Sequence, residues 1–109
     1  MVTIKNGKMP LESAEEAEFV KLCKALPVKL RKLNGLGNRS WPDRMVLGPN
    51  GFVMFVEMKR KKIGKLSAGQ EELFKDMGAL GHHVFIFDDG HEAAAWVKAG
   101  LIAHGVTIF

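Results

Sequence analysis

Two acids and a lysine stand out for their types and spacing: Asp43 in "PD", residues 42 to 43, and Glu57 and Lys59 in "EMK", residues 57 to 59. Carboxylates that meet at the end of a buried strand repel each other and are costly to take out of water. A hard divalent cation such as Mg²⁺ or Mn²⁺ removes that cost. It needs one or two carboxylates and takes its other ligands from water and from substrate phosphate oxygens. A lysine two residues from Glu57 on a strand projects to the same face, where it can orient a water or offset charge developing on a phosphate. Each part also has an ordinary explanation. Asp43 after Pro42 can be a strand-entry turn residue, and Glu57 with Lys59 can be a same-face ion pair.

The chemistry therefore depends on whether the chain brings Asp43 to Glu57. "DRMVL" and "FVMFVEMK" read as two strands joined by the hairpin turn "GPNG". If that turn pairs Leu47 with Val53, Asp43 lies opposite Glu57 and the two share a face. A slip of one residue sends Asp43 to the other side of the sheet. In the second strand Phe52, Met54, Val56 and Met58 form one face and Val53, Phe55, Glu57 and Lys59 the other. Apolar residues on both predict cover on both sides.

The surrounding elements follow from the same patterns. Residues 1 to 10 read as a flexible arm and residues 11 to 109 as a single domain, with no repeat or linker dividing it. Apolar positions 19, 22, 23 and 26 predict a helix over 11 to 26 stopped by Pro27, with Ser13 and Glu16 spaced as a capping box. "VKLRKL" alternates as a strand, and "NGLGNRSWP" is a loop rich in turn formers. Ser67 and Gln70 form a second capping box before a helix that Gly81 ends. "HHVFIFDD" is a strand reached by that helix, as in a βαβ unit; "HEAAAWVKAG" is a last helix, and "VTIF" a further edge strand. The order α-β-β-β-α-β-α describes a small α/β domain, a mixed sheet flanked by helices.

Composition sets the bounds. With 109 residues and 47% apolar content the chain can bury one core. A net charge of +4 and a pI near 9.4 favour a polyanionic partner. The single cysteine, Cys23, sits among Phe19, Leu22 and Leu26 as a small buried hydrophobe and excludes an internal disulfide. Histidines 82, 83, 91 and 104 lack the paired spacing of a zinc site. There is no signal-peptide pattern and no run of about 20 apolar residues, so a soluble, intracellular protein without a membrane segment is expected. Trp96 and Phe74 have helical core spacing, whereas Trp41 beside Asp43 could contact nucleic acid.

Taken together, "PD" followed by "EMK" resembles the motif of the PD-(D/E)XK nuclease superfamily. The longer pattern "GNRSWPDRMVL", "GFVMFVEMKRKKIGKLSAGQ" and "LGHHVFIFDD" is similar to the VRR-NUC nuclease family over residues 11 to 98. That resemblance implies a restriction-endonuclease-like core with Mg²⁺ or Mn²⁺ as cofactor. It implies Asp43, Glu57 and the carbonyl of Met58 as metal ligands, Lys59 as the catalytic lysine, and Gln70 close to the site. It also implies a catalytic glutamate on the first helix, Glu16 in preference to Glu12. Gln70 and Glu16 are equally accounted for as capping-box partners. Met58 stands where leucine or valine is more usual, and "SWPD" is bulkier than the family's frequent "GVPD". Lys32, Arg39, Arg44, Arg60, Lys61, Lys62 and Lys65 are the expected nucleic-acid contacts; "KRKK" can also be a plain solvated loop.

Stand-alone, phage-type members of the family are homodimers that act on branched DNA such as four-way junctions. The resemblance therefore implies DNA as partner, a homodimer, and a location in the cytoplasm of a bacterial or phage-infected cell. Two readings from other classes stay open: a catalytically silent DNA-binding module, and a structural subunit in which the carboxylates pair with arginines.

Overall fold

The computed structural model describes residues 12–35, 37–59 and 65–108. In order these form α1 (Glu12–Cys23), β1 (Lys29–Lys32), β2 (Arg44–Leu47), β3 (Val53–Met58), α2 (Ala68–Ala79), β4 (Val84–Phe87) and α3 (Gly90–Ala103). The four strands make one sheet in the order β1-β2-β3-β4, an α/β arrangement in the expected sequence of elements. The first three strands are antiparallel, while β3 and β4, joined through α2, are parallel. The expected arm at residues 1 to 10 lies outside the described residues.

The turn between β2 and β3 sets the register. Pro49–Gly51 form a short 3₁₀ turn in which Asn50 and Gly51 take φ of 60° and 76°, the left-handed region that asparagine tolerates and glycine adopts freely. Leu47 then faces Val53 and Arg44 faces Val56, so the next pair along the strands is Asp43 with Glu57.

One side of the sheet packs on α1 and α3. Val46, Met54, Val56, Met58 and Phe87 meet Phe19 and Cys23 from α1 and Ala93, Val97 and Leu101 from α3 in a single buried cluster. Gly90 allows the closest approach of these helices: a Cβ there would sit 2.4 Å from the Glu15 carbonyl oxygen. The other side holds Glu57, Val84 and Ile86 and is partly covered by α2, which Ser67 and Gln70 cap as expected. Its C-terminus closes as a Schellman motif. The His82 N–H donates to Met77 O and the Gly81 N–H to Gly78 O, with Gly81 at φ 90°.

Four expectations are corrected. Cover on this second side is partial: Ile86, Val53 and Leu47 are 49%, 47% and 40% exposed, because among the described residues α2 is the one helix on that side. Trp96, expected in the core, is 49% exposed, its ring lying against Phe85 and Phe87. Ser13 lies inside α1, so it cannot be an N-cap with Glu16 three residues on. Glu16 instead accepts a hydrogen bond from Arg44 at 2.8 Å. Residues 106 to 108 form no strand, since the Val106 N–H is committed to Leu101 O at the end of α3 and its side chain packs on the core.

Candidate active site

The adjacent ends of β2 and β3 bring the two acids together. The backbone N–H of Asp43 donates to Glu57 Oε1 at 3.1 Å, and the Met58 N–H donates to Asp43 Oδ2 at 2.8 Å. Each acid thus anchors the other's strand. Both are buried, Asp43 at 8% exposure and Glu57 at 2%. Lys59 lies one residue beyond β3, but its N–H still bonds Phe87 O at 2.8 Å, so the sheet holds its backbone. Its Nζ stands 3.3 Å from Glu57 Oε2.

Gln70 arrives from α2 and is buried. Its Oε1 accepts from the Ser67 N–H at 3.1 Å and its Nε2 donates to Glu57 Oε2 at 3.1 Å. A single amide therefore caps the helix and holds the acid.

Electrostatics mark the pair. Burial pushes the Glu57 carboxyl above its ordinary range, and the neighbouring Asp43 charge pushes it further; Lys59 and Gln70 oppose the rise. Burial likewise raises Asp43, aided by the charge of Glu16, with Met58, Asn34 and Lys32 pulling down. Both groups end above their ordinary values, so the cations and donors of the fold do not fully compensate two buried carboxylates. Cys23, in contrast, is simply buried, which pushes its thiol up to about 11 and away from nucleophilic use.

Glu16 approaches from the α1 side of the sheet. Its Oε2 pairs with Arg44 Nε at 2.8 Å and more loosely with Lys32 Nζ at 3.8 Å, so it touches the site through its charge. The side chain of the alternative, Glu12, lies outside the described residues. Arg44 is largely engaged by Glu16, whereas Lys32, Arg39 and Lys65 are exposed. Arg60, Lys61 and Lys62 lie outside the described residues.

Asn34 is a member of the site that the sequence reading passed over as a turn former. Its Nδ2 donates to Asp43 Oδ1, while its own Oδ1 is buried with no hydrogen-bond partner among the described residues. An unsatisfied buried acceptor costs about 1–3 kcal/mol. The available signal was the alternation of β1, which runs Lys32 opposite Arg44 and carries Asn34 to the Asp43 end of the sheet.

Among the described residues no three His, Cys, Asp or Glu side chains converge as metal ligands. Two undercompensated carboxylates fit a hard ion that keeps several waters, and fit a zinc-type cage poorly.

No family model and no curated protein matches the sequence. The fold does have a counterpart. A solved structure described as "VRR_NUC domain" superposes with a TM-score of 0.68, covering 80% of this chain and 94% of that one at 24% identity. The fold is that of a VRR_NUC domain. In this VRR_NUC fold the C-terminal ends of β3 and β4, the start of β2 and the first turn of α2 converge at one end of the sheet, where Asp43, Glu57, Lys59, Gln70 and Asn34 lie together. Among the described residues no helix is long and apolar enough to cross a membrane.

Proposed function

We propose that this chain is a metal-dependent DNA endonuclease that hydrolyses phosphodiester bonds. The observation that carries the reading is the pair Asp43 and Glu57, buried side by side with raised proton affinities and with Lys59 Nζ 3.3 Å from Glu57. Grouped titratable residues shifted by burial and by each other are the mark of a reactive site. Asp43, Glu57 and the Met58 carbonyl are the groups that would hold Mg²⁺ or Mn²⁺. Such an ion neutralises phosphate charge and lowers the pKa of a water.

The chain's own groups do the rest. Glu57 is held at both oxygens, by the Asp43 N–H and by Gln70, and so keeps one orientation. Lys59 supplies a cation beside it, where negative charge accumulates as water attacks phosphorus and the leaving oxygen departs. The water oxygen forms a new P–O bond as the bond to the leaving oxygen breaks, and the proton the water gives up to solvent is balanced by one that the leaving oxygen takes from solvent, giving a phosphomonoester and a hydroxyl. Exposed Lys32, Arg39 and Lys65, with Arg60, Lys61 and Lys62 of the basic segment, are the side chains proposed to meet DNA phosphates. Branched DNA is the proposed substrate and a homodimer the proposed form, since two sites about a two-fold axis suit paired nicks.

Cleavage of labelled four-way junction, flap and linear duplex DNA in Mg²⁺, Mn²⁺ or EDTA tests this, with Lys59→Ala beside the wild type. Metal-dependent cutting that disappears in Lys59→Ala is the expected result. Salt-sensitive binding of every substrate with no product would instead support a silent DNA-binding module. Light scattering at working concentration checks the dimer, and a monomer active on junctions would remove it.

A further inference from the structure

Asn34 has one end of its amide committed and the other unassigned. Nδ2 donates to Asp43 Oδ1, and the Met58 N–H donates to the other oxygen, Oδ2, at 2.8 Å. Donors at both oxygens stop the carboxylate from turning about its Cβ–Cγ bond. With Asp43 ionised the donor end of the amide faces it, because the amide oxygen in that place would meet a second acceptor with no proton between them. Asn34 Oδ1 is therefore left as a buried acceptor with no donor among the described residues. Buried polar atoms in native proteins find partners, and when protein supplies none an ordered water commonly does.

We propose that Asn34 is a positioning residue of the metal site, fixing the Asp43 carboxylate through Nδ2 and accepting a hydrogen bond from an ordered water at its buried Oδ1. This rests on the nuclease reading and adds to it a residue from outside the two motif segments. Groups that orient a ligand carboxylate typically change metal affinity by 10–100-fold when removed.

Two measurements test it. The first is made without metal: unfolding midpoints of the wild type, Asn34→Ala, Asp43→Ala and the double variant. Loss of most of the Asn34→Ala effect in the Asp43→Ala background is expected, and strict additivity overturns the proposal. The second is Mn²⁺ titration by calorimetry, comparing the wild type with Asn34→Ala and with Asn34→Leu. The leucine keeps the branched outline of asparagine but is larger and removes both hydrogen-bonding ends, including the donor to Asp43 Oδ1, so it is expected to be less stable than the wild type and its fold is verified by circular dichroism before titration. Both variants are expected to bind Mn²⁺ about tenfold more weakly and to lose kcat with an unchanged KM for DNA. Equal Mn²⁺ affinity in a cutting wild type and in Asn34→Leu would sink the role of Asn34 and leave the nuclease standing. A wild type that binds no Mn²⁺ overturns both.

Discussion

Gly90→Ala measures how tightly α1 and α3 are locked over the sheet. Gly90 opens α3, and its N–H donates to the Glu15 side chain at 2.8 Å. A methyl group there would lie 2.4 Å from Glu15 O, 2.9 Å from Phe19 N and 3.1 Å from Glu18 Cβ. Ordinary contact to a Cβ begins near 3.4 Å, so the helices must part by about 1 Å. Two of the obstructing atoms are backbone, and no rotamer change relieves them. The movement reaches Phe19 and Val97, both fully buried between the layers. Overpacking of this kind costs about 1–3 kcal/mol, and for a domain of this size each kcal/mol lowers Tm by roughly 4–8 °C.

A fall of about 4–24 °C is expected by thermal denaturation, with a lower urea midpoint and an unchanged m-value. Gly78→Ala in α2 is the matched control. It has no atom within 4 Å of the new methyl and should gain about 0.5–1 kcal/mol from helix propensity alone. The same substitution thus has opposite signs at two helical positions. If Gly90→Ala were as stable as the wild type, the close approach of α1 and α3 would be refuted.

Three other outcomes are expected. Asp43 and Glu57 bind protons more tightly in the folded than in the unfolded chain, so the stability they contribute is fully present below the unfolded values near 4 and is lost as pH rises through their raised folded values. The wild-type Tm, relative to Glu57→Gln, should therefore fall with rising pH in metal-free buffer. Mn²⁺ at pH 7.5 should restore it, by about 2.7 kcal/mol at 100 times Kd; a metal-insensitive Tm contradicts this. Gln70→Glu keeps an acceptor for the Ser67 N–H but replaces the donor to Glu57 with a charge. Turnover should drop at least about tenfold while α2 stays capped, and full activity with an intact fold would show that the Glu57 contact is dispensable. Cys23, with its thiol pushed up by burial to about 11, should react with a disulfide reagent only as fast as the domain unfolds, and rapid native labelling would contradict its placement.

Those parts of the molecule that were legible in the sequence are the ones decided by neighbours in the chain. "GPNG" between two alternating runs allows one register in which both apolar faces stay in phase, and that register alone sets Asp43 opposite Glu57. The Ser67 and Gln70 cap and the Gly81 stop were equally readable, because helix ends are settled within four residues. The Ser13 and Glu16 pattern had the same form and did not become a cap. Glu16 meets a guanidinium 28 residues away, and a charge-assisted bond to Arg44 outweighs a local option. Asn34 looked like loop composition until β1 lay against β2 and brought its amide to Asp43, nine residues on. The sequence by itself determined the four strands of the sheet, the turn register and the placing of Asp43 beside Glu57. Only the tertiary structure decided which donors each buried carboxylate meets, because those partners come from separate strands and helices whose approach no local periodicity encodes.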